Sequence, residues 1–170
     1  MVLVAACTSE AAGQPVPQGT SGQRPPTSVG PGSPDLADLN PCDLVTDAIS
    51  TELGTGPAER ARDLKYSTGC RWRVTKDTSA TSYTLGVAIY PELGTDQINA
   101  TGAKTPMSVN SRPAVQYLGA ANSVCVISLE VTATSRVDVT ANRAGSDGSE
   151  VCPQAKAAAE LIEPELPPKG

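Results

Sequence analysis

The stretch Cys70-Arg-Trp-Arg-Val-Thr75 alternates between side chains that favour a protein core and side chains that favour water. Successive side chains of an extended chain point to opposite faces, so this pattern predicts a β-strand. Its inner face carries Cys70, Trp72 and Val74. Its outer face carries Arg71, Arg73 and Thr75. The thiol of Cys70 is therefore expected in the core.

Three further stretches alternate in the same way: Thr84–Tyr90, Val124–Val131 and Arg136–Ala141. Their inner faces carry Leu85, Val87 and Ile89, then Cys125, Ile127, Leu129 and Val131, and finally Val137, Val139 and Ala141. Strands with a single apolar face are typical of an antiparallel sheet that is packed on one side. We therefore predict an antiparallel sheet of about five strands.

A helix is predicted on either side of these strands. In the stretch Asn40–Gly54, Asn40 can cap, Pro41 suits the first helical position and Gly54 suits the stop. The apolar stripe of this helix contains Cys42, Val45, Ile49 and Leu53. Ser149 can cap the second helix, which ends before Pro164 and whose stripe contains Cys152, Ala155, Ala159 and Ile162. The fold class is therefore α+β, with both helices on the same face of the sheet.

Four cysteines of this domain can form two disulfides in three ways. Each helix offers one inward cysteine and the sheet offers two, so pairing sequence neighbours is the most economical choice. This choice predicts the disulfides Cys42–Cys70 and Cys125–Cys152. Each closes a loop of about 30 residues and contributes roughly 3–4 kcal/mol in the chain-entropy model. A zinc site is disfavoured because no two cysteines are two to four residues apart, and we predict no metal site.

The fifth cysteine follows small residues in Val4-Ala-Ala-Cys7. This pattern is typical of a site cleaved by a bacterial lipoprotein signal peptidase. It predicts residues 1–6 as the remnant of a signal peptide and Cys7 as the residue that carries the lipid, including fatty acids such as palmitate. Because a secretory signal needs an apolar core of roughly 7–15 residues, we expect the true start further upstream. The alternative is an incidental cysteine after a short apolar N terminus.

Residues 7–38 are predicted to be the lipidated cysteine and a flexible linker. Of the 31 residues in 8–38, 18 are Pro, Gly, Ser or Thr, and such a segment cannot offset its ordering entropy by burial. A flexible chain of this length spans roughly 30 Å. The globular α+β domain is predicted over 39–167, with a short tail at 168–170.

Five short motifs follow one another in the chain: Asn-Pro-Cys-Asp-Leu-Val (40–45), Cys-Arg-Trp (70–72), Ser-Arg-Pro-Ala-Val (111–115), Cys-Val-Ile-Ser-Leu (125–129) and Cys-Pro-Gln-Ala-Lys-Ala-Ala-Ala (152–159). Their order behind Cys7 and a Pro/Gly-rich linker resembles that of actinobacterial lipoproteins of the domain of unknown function 3558 family. The resemblance covers about residues 40–167. It implies an envelope lipoprotein and carries over no catalytic residue.

The chain contains no histidine, which excludes serine–histidine and cysteine–histidine catalysis and histidine metal sites. No Gly-rich phosphate loop is present, and Glu163 and Glu165 are predicted to form a solvated helix end. A net charge of −5 and few aromatic residues disfavour nucleic-acid binding. Arg71 and Arg73 share the outer face of one strand and are the candidate contact for an anion or a carbohydrate.

Two classes of function are consistent with this sequence. The first is a non-catalytic binding or structural module, without a cofactor, anchored through Cys7 to the outer face of the cytoplasmic membrane. Its partner would be an envelope protein, a cell-wall polymer or a small apolar ligand. The second is an envelope hydrolase or transferase that works through carboxylates alone, for which a pocket with two carboxylates about 5–10 Å apart is the structural requirement.

Anchoring is testable by phase partition in a bacterial host. Expressed behind a complete signal peptide, the chain is expected in the detergent phase because its Cys7 sulfur carries lipid. The Cys7→Ala variant is expected in the aqueous phase or as uncleaved precursor. Cleaved protein in the aqueous phase for both chains would overturn the lipoprotein interpretation.

Overall fold

The computed structural model describes residues 35–100 and 102–169. The predicted signal remnant 1–6, the lipidation residue Cys7 and residues 8–34 of the predicted linker lie outside this range. The seven strands described are β1 (Thr55–Arg60), β2 (Thr68–Val74), β3 (Tyr83–Tyr90), β4 (Thr105–Val109), β5 (Arg112–Gly119), β6 (Val124–Thr132) and β7 (Ser135–Asn142). Helix α1 (Asp47–Leu53) precedes them and helix α2 (Cys152–Ile162) follows.

All seven strands form one antiparallel sheet in the order β1-β2-β3-β7-β6-β5-β4. The predicted α+β class, antiparallel sheet and two helices are confirmed. The predicted number of about five strands is wrong, because the sheet has seven. The four stretches that alternate in sequence are β2, β3, β6 and β7. These strands lie next to one another in the middle of the sheet, with β1 on one side and β5 and β4 on the other.

The additional strands lack a regular alternation. The edge strands β1 and β4 each contain a proline, Pro57 and Pro106. Proline has no N–H for the ladder and is tolerated at an edge. Strand β5 carries Arg112 and Gln116 on the same side as apolar residues, so its pattern does not indicate a strand with one apolar face.

The core lies between the helices and one side of the sheet, which we call the helix face; the other side is the open face. All the inner-face residues predicted for β2, β3, β6 and β7 are at most 3% exposed. They form one cluster with Ile49 and Leu53 of α1 and with Ala155, Ala159 and Ile162 of α2. Both helices therefore cover the same face. Leu36, which precedes the predicted domain start, belongs to this cluster.

The two predicted disulfides are confirmed. Cys42–Cys70 joins the segment before α1 to β2, and Cys125–Cys152 joins β6 to the first residue of α2. The Cα atoms of each pair are 5.1 Å apart. Cys70, Cys125 and Cys152 lie on the predicted faces, whereas Cys42 lies in the turns that precede α1 and not on the helical stripe predicted for it.

Helix α1 begins later than predicted. The Thr46 hydroxyl accepts a hydrogen bond from the N–H of Ile49 at 3.4 Å, which makes Thr46 the N-cap. The Asn40 side chain instead accepts from the N–H of Cys42 at 3.2 Å, in the turns that precede the helix. The predicted end is confirmed, since Gly54 ends α1 with φ 71°.

The start of the second helical segment also differs from the prediction. Asp147, and not Ser149, supplies the cap: its carboxylate accepts from the N–H of Ser149 at 2.8 Å. A 3-10 turn over Gly148–Val151 then leads into α2.

The prediction of a single buried face is wrong for β6 and β7. Their open-face residues Ser128, Arg136 and Asp138 are 0%, 5% and 4% exposed. The cause is the connection from β3 to β4, which spans the positions of three strands in the sheet. Its Leu93 and Gly94 carbonyls accept hydrogen bonds from Nη1 of Arg136, both at 3.0 Å. The connection therefore covers one end of the open face.

This connection approaches the β6–β7 turn very closely. A Cβ atom on Gly94 would lie 2.2 Å from the carbonyl oxygen of Ala133, which is backbone and cannot move aside. Only glycine allows this approach. The position of the connection over the sheet therefore depends on Gly94.

The C-terminal end of the chain is fixed by Arg112, which is 5% exposed. Its Nε donates to Glu163 at 2.8 Å and its Nη2 donates to the carbonyl of Pro167 at 2.8 Å. Hydrogen bonds from the Asn110 amide and from Arg112 lower the pKa of Glu163. Glu163 is therefore bound rather than solvated as predicted, whereas Glu165 is exposed.

The two disulfides are expected to contribute similarly to stability. Both close loops of nearly equal length, with sequence separations of 28 and 27, so the entropic contribution is about 3–4 kcal/mol for each. Each also has one buried cysteine, Cys70 at 3% and Cys125 at 0% exposure, so replacing either pair by alanine leaves a cavity. Urea unfolding is therefore expected to show a similar loss for Cys42→Ala with Cys70→Ala and for Cys125→Ala with Cys152→Ala.

Reduction of both bridges is expected to unfold the domain near physiological temperature. The control is the oxidised chain in the same buffer, followed by near-UV circular dichroism. A reduced chain that keeps the oxidised unfolding midpoint would contradict the assignment.

Candidate functional site: a polar cleft on the open face

A row of polar residues crosses the uncovered end of the open face. In the register of the sheet, Arg73 of β2 pairs with Thr84 of β3, and Thr84 pairs with Asn142 of β7. The inner-face neighbours of these residues are in the core, so this row points away from the helices. A guanidinium, a hydroxyl and an amide therefore follow one another across three adjacent strands.

The row forms the floor of a cleft of about 350 Å³. One wall comes from the β2–β3 loop through Ser79, Ala80 and Ser82, and another from residues 143–144 after β7. Ser82 stabilises the loop, since its hydroxyl accepts from the N–H of Lys76 at 3.0 Å and donates to the carbonyl of Thr78 at 2.8 Å. The shape of the cleft thus follows from a hydrogen-bonded loop.

The cleft has a basic character. None of the described residues that line it is acidic, and two of them are Arg73 and Arg143. Arg143 is paired with Glu150. Among the described residues, the side chains of Arg73, Thr84 and Asn142 have no hydrogen-bond partner on the protein. They are therefore available to a ligand, and a guanidinium recognises carboxylate or phosphate oxygens through paired N–H groups.

The two arginines predicted as one contact have different environments. Nη2 of Arg71 lies 2.8 Å from Oε2 of Glu59, its partner in the register between β1 and β2. Arg71 does not line the cleft. Arg73 does. The structure therefore brings only Arg73 together with the other polar groups.

The covered end of the same face contains a buried charged cluster that the sequence analysis did not identify. Nε of Arg136 donates to Oδ1 of Asp138 at 3.0 Å, and the two side chains are 7% and 6% exposed. Ser128 donates to the same oxygen at 2.5 Å, and the Tyr117 hydroxyl donates to Oδ2 at 3.3 Å. The guanidinium also lies 3.9 Å from the centre of the Tyr90 ring.

Burial and the neighbouring polar groups act in opposite directions on the pKa of Asp138. Desolvation raises the pKa of Asp138, while Arg136 and the hydroxyl of Ser128 act in the other direction. Desolvation and the charge of Asp138 raise the pKa of Tyr117. Every polar group named here already has a partner within the protein. The cluster therefore holds the β3–β4 connection in place and has no group directed at a ligand.

No group of three potential metal ligands occurs among the residues that the structure describes. A second cleft, of about 260 Å³, lies near Leu64 and Tyr66, and Glu92 is the acidic residue among the described ones that line it. Neither cleft has two carboxylates in its described lining. Within 35–100 and 102–169, no helix is both long and apolar enough to cross a membrane.

Comparison with protein families gave one result that covers nearly the whole chain. A family model described as a protein of unknown function, DUF3558, matches residues 2–165. The chain belongs to this family. Searches of curated proteins and of solved structures found no match. The family membership expected from the five motifs is thus confirmed. In this DUF3558 chain the motifs contain Cys42, Cys70, Cys125 and Cys152, which form the disulfides, and Arg112, which forms the C-terminal contact.

The charged cluster of this DUF3558 domain is expected to be essential for stability. Asp138→Asn leaves the buried guanidinium of Arg136 without a charged partner, which costs about 3–5 kcal/mol. Replacing both residues, Asp138→Leu with Arg136→Met, is expected to recover part of this loss. Recovery is incomplete because the carbonyls of Leu93 and Gly94 still lose their donor.

Urea unfolding measures these differences, with Asp77→Asn as a control on an exposed acid. An Asp138→Asn variant that unfolds at the same urea concentration as the control would contradict the assigned interaction.

Proposed function

We propose that this DUF3558 protein is a non-catalytic binding module of the cell envelope, anchored by lipid on Cys7 to the outer face of the cytoplasmic membrane. The sequence before Cys7 and the composition of residues 8–38 support the anchor and its tether. The two disulfides support an oxidising compartment. These features are independent of one another, since the disulfides lie in the folded domain and the cleavage motif precedes it.

The ligand that we propose is an anionic or hydroxyl-rich group of a cell-wall polymer. The observation that carries this proposal is the cleft over Arg73, Thr84 and Asn142. Its described lining contains no acid, and Arg73 has no ion-pair partner among the described residues, whereas Arg143 is paired with Glu150. The protein as a whole has a net charge of −5. A local surface of opposite sign within an acidic protein favours binding of anions at this place.

The arrangement of polar groups fits a repeating polymer better than a small apolar ligand. The floor of the cleft offers a donor fork, a hydroxyl and an amide in one line across three strands. Such a line can bind successive groups of a chain. An apolar ligand would leave these polar groups without partners, which costs free energy on binding.

The alternative, a hydrolase or transferase that works through carboxylates, lacks a supporting arrangement in the described residues. Its chemistry requires two carboxylates on either side of the reacting bond. The described lining of the Arg73 cleft has none. Asp138, the most buried carboxylate, is already bound by Arg136, Ser128 and Tyr117. We therefore propose binding without catalysis.

Sedimentation with isolated cell walls tests the ligand proposal. Arg73→Gln is expected to weaken binding roughly tenfold or more, because it removes a charged donor to an anion. Arg71→Gln is the matched control, since it removes the same charge from the same strand face outside the cleft. Binding of the unaltered chain is expected to fall as salt is raised.

Urea unfolding of both variants shows whether the comparison is made between equally folded proteins. Equal loss of binding for Arg71→Gln and Arg73→Gln would indicate general electrostatic attraction and overturn the cleft. No binding of the unaltered chain to cell walls would overturn the polymer as ligand.

A further inference from the structure

A tight turn carries two large apolar side chains on the surface. Leu64 and Ser67 pair as an isolated bridge, in which the N–H of Leu64 donates to the carbonyl of Ser67 at 2.9 Å. Leu64 is 65% exposed and Tyr66 is 49% exposed, and these are the exposed large hydrophobic residues of the described chain. The backbone bridge holds both at the tip of a fixed turn.

The turn carries basic side chains, and one acidic residue, Glu92, lines the cleft beside it. Lys65 lies between the two apolar residues, with its Nζ 4.7 Å from the centre of the Tyr66 ring. Arg62 is also exposed. Among the described residues, neither Arg62 nor Lys65 forms an ion pair, whereas Arg60 is paired with Asp63. Exposed apolar side chains between cations are typical of a surface that contacts anionic lipid.

The turn also lies where the predicted tether reaches the folded domain. Ala37 lines the same cleft as Leu64, Lys65 and Tyr66, and residue 35 is the first that the structure describes. On the proposed anchoring, the chain arrives at this point from the membrane. The exposed apolar residues are therefore at the end of the domain closest to the entry of the tether.

We propose that the Leu64–Ser67 turn is a second membrane contact, which docks the domain onto an anionic lipid bilayer by inserting Leu64 and Tyr66 between headgroups. This inference rests on the proposed function, because the lipid anchor brings the turn to the membrane. A tether holds the turn at high effective concentration near the bilayer, which strengthens a contact that the turn also makes without the lipid.

Docking through this turn would orient the Arg73 cleft away from the lipid. The turn is next to Ile89 and Pro91 at one end of β3, while the cleft contains Tyr83 and Thr84 at the other end. At about 3.4 Å per residue, these ends are roughly 20 Å apart. A docked domain would therefore present its basic cleft towards the cell wall.

The first experiment separates the turn from the anchor. The whole chain with Cys7→Ser, which cannot be acylated, is sedimented with vesicles of phosphatidylglycerol and phosphatidylcholine. Partition is expected to fall roughly tenfold or more when Leu64→Ser and Tyr66→Ser are combined. It is also expected to fall for Lys65→Gln and with added salt. Lys156→Gln, on the exposed surface of α2, is the matched control and is expected to have no effect.

The second experiment uses the acylated chain on the same vesicles. Hydrogen exchange is expected to slow at residues 62–67 on vesicles relative to detergent micelles, and to remain fast in the Leu64→Ser, Tyr66→Ser double variant. Unchanged exchange at residues 62–67, together with partition that is equal for the double variant and for Lys156→Gln, would overturn the membrane contact while leaving the anchor and the Arg73 cleft intact.

A different binding partner of the turn, or failure of the anchor, would give different results. A double variant that changes sedimentation from dimer to monomer, with vesicle partition unaltered, would assign the turn to a second copy of the chain and overturn the lipid contact. Failure of the anchor itself would show as aqueous-phase partition of the unaltered chain, with vesicle binding of the Cys7→Ser chain still dependent on Leu64 and Tyr66.

Discussion

The covalent links between helices and sheet are the constraint on which the rest of this domain depends. The core contains one tryptophan and no phenylalanine, so each buried residue contributes less area than an aromatic core would provide. Helix α1 has only seven residues, which is too short to be stable alone. Cys42–Cys70 links the segment before α1 to β2, and Cys125–Cys152 links α2 to β6. Apolar packing between the helices and the sheet then stabilises the arrangement that the two bridges fix.

The two ends of the open face of the sheet differ in structure. One end is covered by the β3–β4 connection. Arg136 donates to the Leu93 and Gly94 carbonyls of this connection and is paired with Asp138 of β7. The other end is left accessible, and there Arg73, Thr84 and Asn142 line the cleft. A single sheet thus uses one face for its core, while its other face has a buried polar contact at one end and an accessible polar cleft at the other.

The sequence predicts the central part of this fold because hydrophobic alternation and cysteine placement agree there. Cys70, Trp72 and Val74 share a face in the pattern and in the structure. The edge strands escape prediction because proline and polar residues replace the alternation. The burial of Arg136 and Asp138 is not predictable from the strand pattern for another reason. Their spacing is that of a solvated outer face, and they are buried only because a connection distant in sequence covers them.

The same limit applies to the candidate site. The alternation places Arg71 and Arg73 correctly on one outer face, but it cannot distinguish them. What distinguishes them is the neighbouring strand, since Glu59 of β1 takes Arg71 and no described acid lies beside Arg73 in the cleft. Pairing across strands separated in sequence is a tertiary property, and local patterns do not contain it.

Pro57 and Pro106 lie in the two edge strands, which matters for the membrane anchoring proposed above. Molecules confined to a membrane diffuse in two dimensions and meet side by side far more often than in bulk solution. An edge strand with free N–H groups would allow neighbouring sheets to join into a continuous array. On the proposed anchoring, each proline removes one donor from its edge strand, which disfavours such joining of neighbouring copies.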